Sequence, residues 1–340
     1  MVDEFEMAAA ADGASPESEP LPTEAEVRAY LTSLSNWGRW GEGNEGLRGT
    51  LNLITPRRRA AAARLVERGQ VIACGFPMVY ERNGRGRDER GHLVPGGSPL
   101  AQHYMLSFET LAAVPPTTRA APMDGFLIEP HGQLVTHLDA PAHAVLDGRL
   151  FNGVPMSNAL GPDGARQGGV ELAAPGIVGR GVLLDVPLAR GVRWLEDRDV
   201  VMPADLDRCE EIGGVAVEPG DCLIVRTGYR LHKPQGELKG PGYARPGLQA
   251  ACLPWLRERD VALVCSDVAS DCWPHGYDAL GQPIHAVGLW AIGLWLVDNC
   301  AVEGLSTACA REQRYQFLFM VAPLLLTHGT ASPVNPLAVF

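Results

Sequence analysis

The stretch His131-Gly-Gln-Leu-Val-Thr-His-Leu-Asp-Ala-Pro-Ala-His143 places three histidines and one aspartate within thirteen residues. Alternate side chains of an extended strand share a face, so Gln133, His137 and Asp139 point the same way, together with His131 if the strand begins that early. Side chains two positions apart on a helix diverge by about 200° and could not converge. The spacing therefore predicts a strand that presents an amide, an imidazole and a carboxylate to one point, as a half-site for a divalent metal would.

The end of this stretch carries a separate prediction. Pro141 cannot donate to a strand ladder, so it ends the strand and turns the chain. The turn allows His143 to swing back over the same point and act as an acid or base. The residues alone leave a simpler interpretation open, in which the three histidines are hydrogen-bonding side chains scattered along a strand edge.

A second candidate segment begins at Pro283-Ile-His285 and ends at Asp298. Between them lies the longest apolar run of the chain, the 12 residues from Ala286 to Val297. This run is shorter than the ~18 residues that a membrane-spanning helix requires. A single histidine and a single aspartate at the ends of a buried segment are usually caps or hydrogen-bonded core groups, so the segment alone does not define a site.

The charge of the chain argues against one class of partner. It has 40 acidic and 29 basic residues and a formal charge of −11, whereas nucleic-acid-binding proteins usually carry a basic patch. Seven of the acidic residues lie within the first 24 positions, which contain no Lys or Arg. Because residues 1–22 also contain few large apolar groups, they are predicted to form a flexible acidic tail.

Composition predicts the fold class of the remainder, residues 23–340. Hydrophobic residues make up 46% of the chain, and 39 Gly with 27 Pro favour many turns and short strands over a helical bundle. Composition therefore predicts an α/β or α+β fold, and because no repeat or interior linker divides the chain, we predict a single catalytic domain, with α/β as the fold class. An N-terminal helical arm at 23–69 would contain a helix from Thr23 to Leu34, capped by Thr23 and Glu26, and a second helix from Arg57 to Gly69.

Several further elements follow from local patterns. Three near-continuous apolar runs, at 181–186, 221–227 and 261–266, are typical of strands buried on both faces. Helices are predicted at 203–212 and 248–259, strands at 70–76 and 77–80, and a charged, glycine-rich loop at 81–98. The eight cysteines form no Cys-x-x-Cys pair, and the N-terminus lacks a secretory pattern, so we expect buried thiols in a cytoplasmic protein.

The segment Thr136-His-Leu-Asp-Ala-Pro-Ala-His143 resembles the signature of the metal-dependent cyclase family, His-x-Gly-Thr-His-x-Asp-x-Pro-x-His. Bacterial kynurenine formamidase and isatin hydrolase belong to that family. The similarity to its longer bacterial branch extends to residues 36–41, 49–55, 226–228 and 329–339. It implies a swivelling β/β/α fold, in which mixed β-sheets surround a metal site and helices pack outside. It also implies a homodimer or homotetramer.

The resemblance also assigns roles to individual residues. His137 and Asp139 correspond to metal ligands, and His143 corresponds to the catalytic acid or base. His285 and Asp298 correspond to the downstream His and Glu that complete a second metal position, with Asp139 able to bridge the two. The implied cofactor is therefore a divalent metal, zinc or manganese, with one or two ions per chain.

Three departures from the family pattern matter. Gln133 stands where the family has its first histidine ligand, so this position is either depleted of metal or completed by His131. Val135 replaces a glycine, and Asp298 replaces the longer glutamate. These departures keep a non-catalytic binding protein that has lost its metal among the alternatives.

The expected activity is the metal-dependent hydrolysis of an amide, lactam or ester bond in a small, aromatic molecule. A cyclase or dehydratase of natural-product biosynthesis is the alternative, because it would use the same site. No Gly-x-Ser-x-Gly elbow supports a serine hydrolase. Trp37 and Trp40 are candidate substrate-binding walls alongside His131, and Asp271-Cys-Trp-Pro-His275 is a candidate for the rim of the pocket.

Overall fold

The computed structural model describes residues 20–78, 101–105, 121–233 and 243–340 of the chain. The predicted loop at 81–98 and the first nineteen residues of the predicted tail lie outside these ranges. Within them, all eight cysteines are free and buried, as expected from their sequence pattern. No helix in the described ranges is long and apolar enough to cross a membrane.

The described residues form fifteen strands, most of them short. In chain order they are β1 (Val71–Ala73), β2 (Ala101–Met105), β3 (Asp124–Ile128), β4 (His137–Asp139), β5 (Leu160–Gly161), β6 (Gly164–Ala165), β7 (Ile177–Asp185), β8 (Val200–Val201), β9 (Cys222–Arg226), β10 (Gly247–Leu248), β11 (Leu263–Ser266), β12 (Trp295–Asp298), β13 (Gln316–Val321), β14 (Ala331–Pro333) and β15 (Leu337–Val339). Nine of them build one mixed sheet in the order β1-β15-β13-β7-β9-β11-β12-β4-β14. The predicted α/β class, with a mixed sheet and helices outside it, is confirmed.

The centre of this sheet is parallel and buried on both faces. β7, β9, β11 and β12 run parallel, with Val182 opposite Leu223 and Leu223 opposite Val264. All three side chains are fully buried. Strands covered on both sides need no polar alternation, which is why the three apolar runs of the sequence predicted them correctly.

The helices pack around the sheet. They span Glu24–Ser33, Gly43–Leu47, Pro56–Ala63, Met156–Ala159, Val186–Arg190, Pro203–Gly213, Cys252–Glu258, Pro283–Val287 and Glu303–Glu312. The predicted capping box is present: the Thr23 hydroxyl accepts from the Glu26 N–H, and the Glu26 carboxylate accepts from the Thr23 N–H. The prediction for residues 203–212 is also confirmed, and that helix ends at Gly214 in a left-handed conformation.

Two helix predictions were wrong at their ends, because tertiary pairing interrupts them. The second helix ends at Ala63 rather than Gly69, and the Gly69 N–H instead donates to the Phe340 carbonyl at 2.7 Å. The helix predicted from Leu248 begins only at Cys252. Leu248 is taken into β10, which pairs in parallel with β8.

Two strand predictions also need correction. The strand predicted at 70–76 is limited to β1, which pairs with β15, and Pro77 and Met78 have no regular structure. The strand predicted to begin near His131 is limited to β4, because residues 131–135 form a series of bends. Gln133 and His131 therefore do not continue the alternating row that contains His137 and Asp139.

Candidate metal centre

The site lies where β4 pairs antiparallel with β12. In this register His137 is opposite Asp298, and Asp139 is opposite Leu296. His137 and Asp139 point to one face of the sheet, while Leu138 between them is fully buried in the core on the other face. Residues directly opposite each other project to the same face, so the pairing brings Asp298 to His137 and Asp139.

Asp139 stands at the centre of this group. Both of its carboxylate oxygens are buried, and neither makes a hydrogen bond. Three imidazoles approach these oxygens: His131 Nδ1 lies 3.1 Å from Oδ1, while His137 Nε2 and His285 Nε2 lie 3.5 Å and 3.7 Å from Oδ2. An unsatisfied buried carboxylate is costly, so this arrangement suits a cation that binds among these groups.

His131 reaches the centre by a route that the sequence did not predict. The bends at 131–135 fold its ring back onto His143, with ring centroids 4.0 Å apart and the planes nearly parallel. Its Nε2 lies 3.0 Å from the Thr330 hydroxyl, leaving Nδ1 toward Asp139. Of the two residues considered for the family's first histidine position, His131 has a ring nitrogen beside Asp139, and both His131 and Gln133 line the adjoining cavity.

His143 takes the position expected for it. Pro141 begins a short 3-10 turn, Pro141–His143, that swings the His143 ring over Asp139. The His143 side chain is solvent-exposed, although many protein atoms surround it. Desolvation, together with the neighbouring imidazoles, lowers the pKa of His143 to about 4 against the opposing effect of Asp139. His143 is therefore neutral at neutral pH, and the same shift makes it a weaker base than a free imidazole.

His285 is held by a residue whose role the sequence did not reveal. His285 Nδ1 lies 2.6 Å from Asp271 Oδ2, and the other Asp271 oxygen accepts from the Ile284 N–H at 2.7 Å. His285 Nε2 is then directed toward Asp298, 3.3 Å from its Oδ2. A carboxylate behind a ligating imidazole fixes its tautomer and orientation. Asp271 falls in the segment predicted as a pocket rim, but its partner lies 14 residues away.

Asp298 is anchored in a similar way. Its Oδ1 accepts from both the backbone N–H and the hydroxyl of Ser270, at 3.0 Å and 2.7 Å. His137 in turn has Nδ1 2.8 Å from the Val135 carbonyl, which leaves Nε2 for the centre. In Asp298 and in His137, one polar side-chain atom is hydrogen-bonded to the protein, and the other is directed toward Asp139 or its neighbours in the site.

The carboxylates of the site raise the pKa values of the imidazoles that a metal would bind. Burial alone would lower the pKa of His137, but Asp139 and Asp298 outweigh it and raise this pKa to about 9. The pKa of His285 is also raised, since the attraction of Asp298 and Asp271 exceeds the burial penalty. For Asp139, burial is outweighed by His137 and His143, so its pKa lies well below the usual value.

Six side chains meet here, which we call the histidine cluster: His131, His137, Asp139, His143, His285 and Asp298. Two overlapping triads within the cluster have ligand atoms within 4.8 Å of one another, His131–Asp139–His143 and His137–Asp139–Asp298. Imidazole nitrogens and carboxylate oxygens suit zinc and manganese. The residues therefore fit a divalent metal, and both triads share Asp139.

The cluster forms one end of a cavity of about 420 Å³. Its remaining lining residues come from three loops: Gly132, Gln133, Arg245, Ala269, Trp273, Gly281 and Gln282. Such a cavity accommodates a small molecule.

The predicted substrate walls Trp37 and Trp40 do not line this cavity. The Trp37 indole donates to the Trp290 carbonyl at 2.8 Å, and the two tryptophan rings pack with centroids 4.4 Å apart. Trp40 packs under the Arg39 guanidinium. Trp37 and Trp40 therefore pack outside the cavity. The tryptophan that lines the cavity is Trp273.

Comparison with known proteins identifies the family. The model of the cyclase family, described as "putative cyclase", matches residues 98–271, which is just over half of the chain. The chain belongs to the cyclase family. A comparison with curated proteins gives no match.

Solved structures share the fold. A crystal structure of a novel cyclase is 28% identical, with a TM-score of 0.76, and the alignment covers 91% of this chain and 100% of that one. Isatin hydrolase A from Ralstonia solanacearum is 19% identical, with a TM-score of 0.56 and coverages of 84% and 97%. Isatin hydrolase A from Labrenzia aggregata, bound to benzyl benzoate, is 18% identical, with a TM-score of 0.55 and coverages of 79% and 93%.

Proposed function

We propose that this protein is a metal-dependent hydrolase that opens an amide, lactam or ester bond of a small molecule. The observation that carries the proposal is Asp139: both of its oxygens are buried and unsatisfied, and three imidazoles surround them at the end of a cavity. Family membership and the hydrolases among its fold relatives support the same conclusion.

His131, His137, Asp139, His285 and Asp298 would hold one or two divalent ions, zinc or manganese. When bound, such an ion polarises a carbonyl oxygen and lowers the pKa of water from ~15.7 towards ~7. Ligating imidazoles must be neutral, so binding displaces the protons that the carboxylates otherwise keep on His137 and His285.

His143 is the residue that we propose moves protons. Because it is neutral at pH 7 and exposed toward the cavity, it can accept a proton from water and return it to the departing nitrogen or oxygen. Its stacking on His131 holds the ring over Asp139 while leaving its outer edge to the cavity. His143 also belongs to the His131–Asp139–His143 triad, so a role as a third ligand is the competing assignment.

The test combines metal analysis with a screen for reaction type. The purified protein should contain about one or two divalent ions per chain, and His137→Ala should lose them together with hydrolysis. Incubation of small amides, lactams and aryl esters should show uptake of one water per turnover by mass spectrometry. Stoichiometric metal in the His137→Ala variant would refute this ligand set, and loss of water from a substrate would establish a cyclase or dehydratase instead.

Two further properties remain proposals. We propose a homodimer or homotetramer, which gel filtration would show as a mass of two or four times 36.4 kDa. An elution mass near a single chain would contradict it. A cytoplasmic location is also proposed, on the sequence pattern alone.

A further inference from the structure

One wall of the cavity contains a buried arginine, whose charge is opposite to that of Asp139 and Asp298. Arg245 has only 2% of its surface exposed, and it lines the cavity. Its side chain makes one hydrogen bond to the described residues, from Nε to the Asp271 carbonyl at 3.2 Å. Among those residues no carboxylate lies within ion-pair distance of it. A buried guanidinium is stabilised by an anionic partner, and an anionic group that enters the cavity would supply one.

The backbone holds Arg245 beside Trp273. The two residues form an antiparallel bridge, with the Arg245 N–H donating to the Trp273 carbonyl at 3.0 Å and the reverse bond at 2.9 Å. Residues directly opposite in such a pair project to the same side, and both line the cavity. The guanidinium and the indole are therefore fixed next to each other at one wall.

Neighbouring contacts join this wall to the segment that contains Asp271. The guanidinium carbon of Arg245 lies 5.4 Å from the centre of the Tyr243 ring, a cation–π distance. Gly247 packs so closely on the Asp271 backbone that a Cβ atom would lie 2.6 Å from the Asp271 carbonyl carbon. The segment that carries Arg245 is thus joined to the one that carries both Trp273 and the His285-orienting Asp271.

The balance of charge selects the kind of ligand. On the proposed function, on which this inference rests, one divalent cation is neutralised by Asp139 and Asp298. The buried Asp271 carboxylate is occupied by His285, so among the described residues that line the cavity Arg245 is the cation with no carboxylate at ion-pair distance. We propose that Arg245 binds an anionic group, a carboxylate, of the substrate, while Trp273 packs against the planar part that links this group to the bond to be cleaved. The substrate class is therefore a small aromatic amide, lactam or ester that bears a carboxylate.

The test separates binding at Arg245 from binding at the metal. Hydroxamates chelate divalent ions, so a benzohydroxamate occupies the metal end of the cavity and directs a ring substituent outward. The probes are benzohydroxamate, its 3- and 4-carboxy derivatives and the neutral 3- and 4-carboxamide derivatives. Their affinities for the zinc-loaded full-length protein are measured by calorimetry.

The expected result is that a carboxy derivative binds about 10- to 100-fold more tightly than its carboxamide, the range for a charge-assisted hydrogen-bonded pair. Arg245→Gln should abolish this preference, so that the carboxy and carboxamide derivatives bind with similar affinity. Arg259→Gln is the matched control, because Arg259 lies outside the cavity and pairs with Asp207 and Glu210. That variant should keep the preference.

Each outcome has one meaning. If wild-type protein binds benzohydroxamate but does not distinguish carboxylate from carboxamide at either ring position, the assignment of Arg245 is overturned and the proposed hydrolase function stands. If the protein neither retains zinc nor binds benzohydroxamate, the proposed function fails and the substrate class fails with it. Should Arg245→Gln not fold, the comparison of probes on the wild-type protein still decides.

Discussion

Two clusters of charged side chains lie on the same sheet, and their buried carboxylates have different kinds of partner. The histidine cluster is at β4 and β12, whereas an arginine cluster, Arg226 with Asp185 and Glu303, is at the ends of β7 and β9. In the arginine cluster the cation is part of the chain: Arg226 binds Asp185 at 2.8 Å and Glu303 at 2.7 Å. Asp185 also accepts from Ser306 and from the Leu188 N–H.

The difference is in the acidic groups. Both oxygens of Asp185 have donors within the protein, and Asp185 and Arg226 face each other in the register of β7 and β9. Both oxygens of Asp139 lack a hydrogen bond, although Asp139 is equally buried. The partner of Asp185 is an arginine that keeps its proton, so the first cluster is structural. The partners of Asp139 are imidazoles, which can release their protons, so the second cluster can exchange them for a cation from outside.

The largest effect on stability is expected in the arginine cluster. Arg226→Met keeps much of the side-chain volume but leaves Asp185 buried without its partner, which should lower the free energy of unfolding by about 3–5 kcal/mol. Urea denaturation of the metal-free protein measures this. The folded fraction should still bind zinc with wild-type stoichiometry. The matched control is Arg208→Met, in a surface pair with Glu211, which should change stability by less than about 1 kcal/mol.

If fully folded Arg226→Met protein did not bind zinc, the two clusters would depend on each other. The distinction between a structural cluster and a metal-binding cluster would then be wrong.

An intermediate effect is expected where the protein orients the histidine cluster. Asp271→Asn keeps the shape of the side chain but removes the charge behind His285, and loss of such a partner typically lowers metal affinity 10- to 100-fold. Competition with a zinc chelator measures the affinity. Asp207→Asn, at an exposed carboxylate outside the site, serves as the control and should bind zinc as the wild type does. Unchanged affinity in Asp271→Asn would mean that His285 is not a ligand.

The smallest effect, taken per pH unit, is a graded dependence on pH. The pKa of His137 is raised to about 9, so below pH 9 a metal must displace its proton, and apparent zinc affinity should rise about tenfold per pH unit for each proton released. The contribution of protonated His137 to the stability of the metal-free protein changes with pH in the opposite direction. This contribution is complete below about pH 6.5 and is lost as pH rises towards 9.

Calorimetry at pH 6, 7 and 8, in buffers of different ionisation enthalpy, measures both the affinity and the protons released. Affinity that is independent of pH over this range would contradict the proposed protonation of His137.

Much of the fold follows from local pattern. The three parallel strands at the sheet centre, the capped first helix and the Pro203–Gly213 helix occur where apolar runs and capping residues predict them. Helix and strand ends were less predictable. Leu248 lies in a strand paired with Val201 rather than in the predicted helix, and the Gly69 N–H donates to the Phe340 carbonyl. Both partners are distant in sequence, so local patterns do not predict them.

The sequence by itself determined the family signature from Thr136 to His143, the turn at Pro141, and the identities of His285 and Asp298 as candidate site residues. Only the tertiary structure decided which groups meet. The β4–β12 register sets Asp298 against His137, and bends replace the expected strand and bring His131 to Asp139. Tertiary packing also brings Asp271 to His285 and Arg245 to the cavity. The physical reason is that side-chain alternation is a local property of the backbone, whereas strand pairing joins residues more than 150 positions apart.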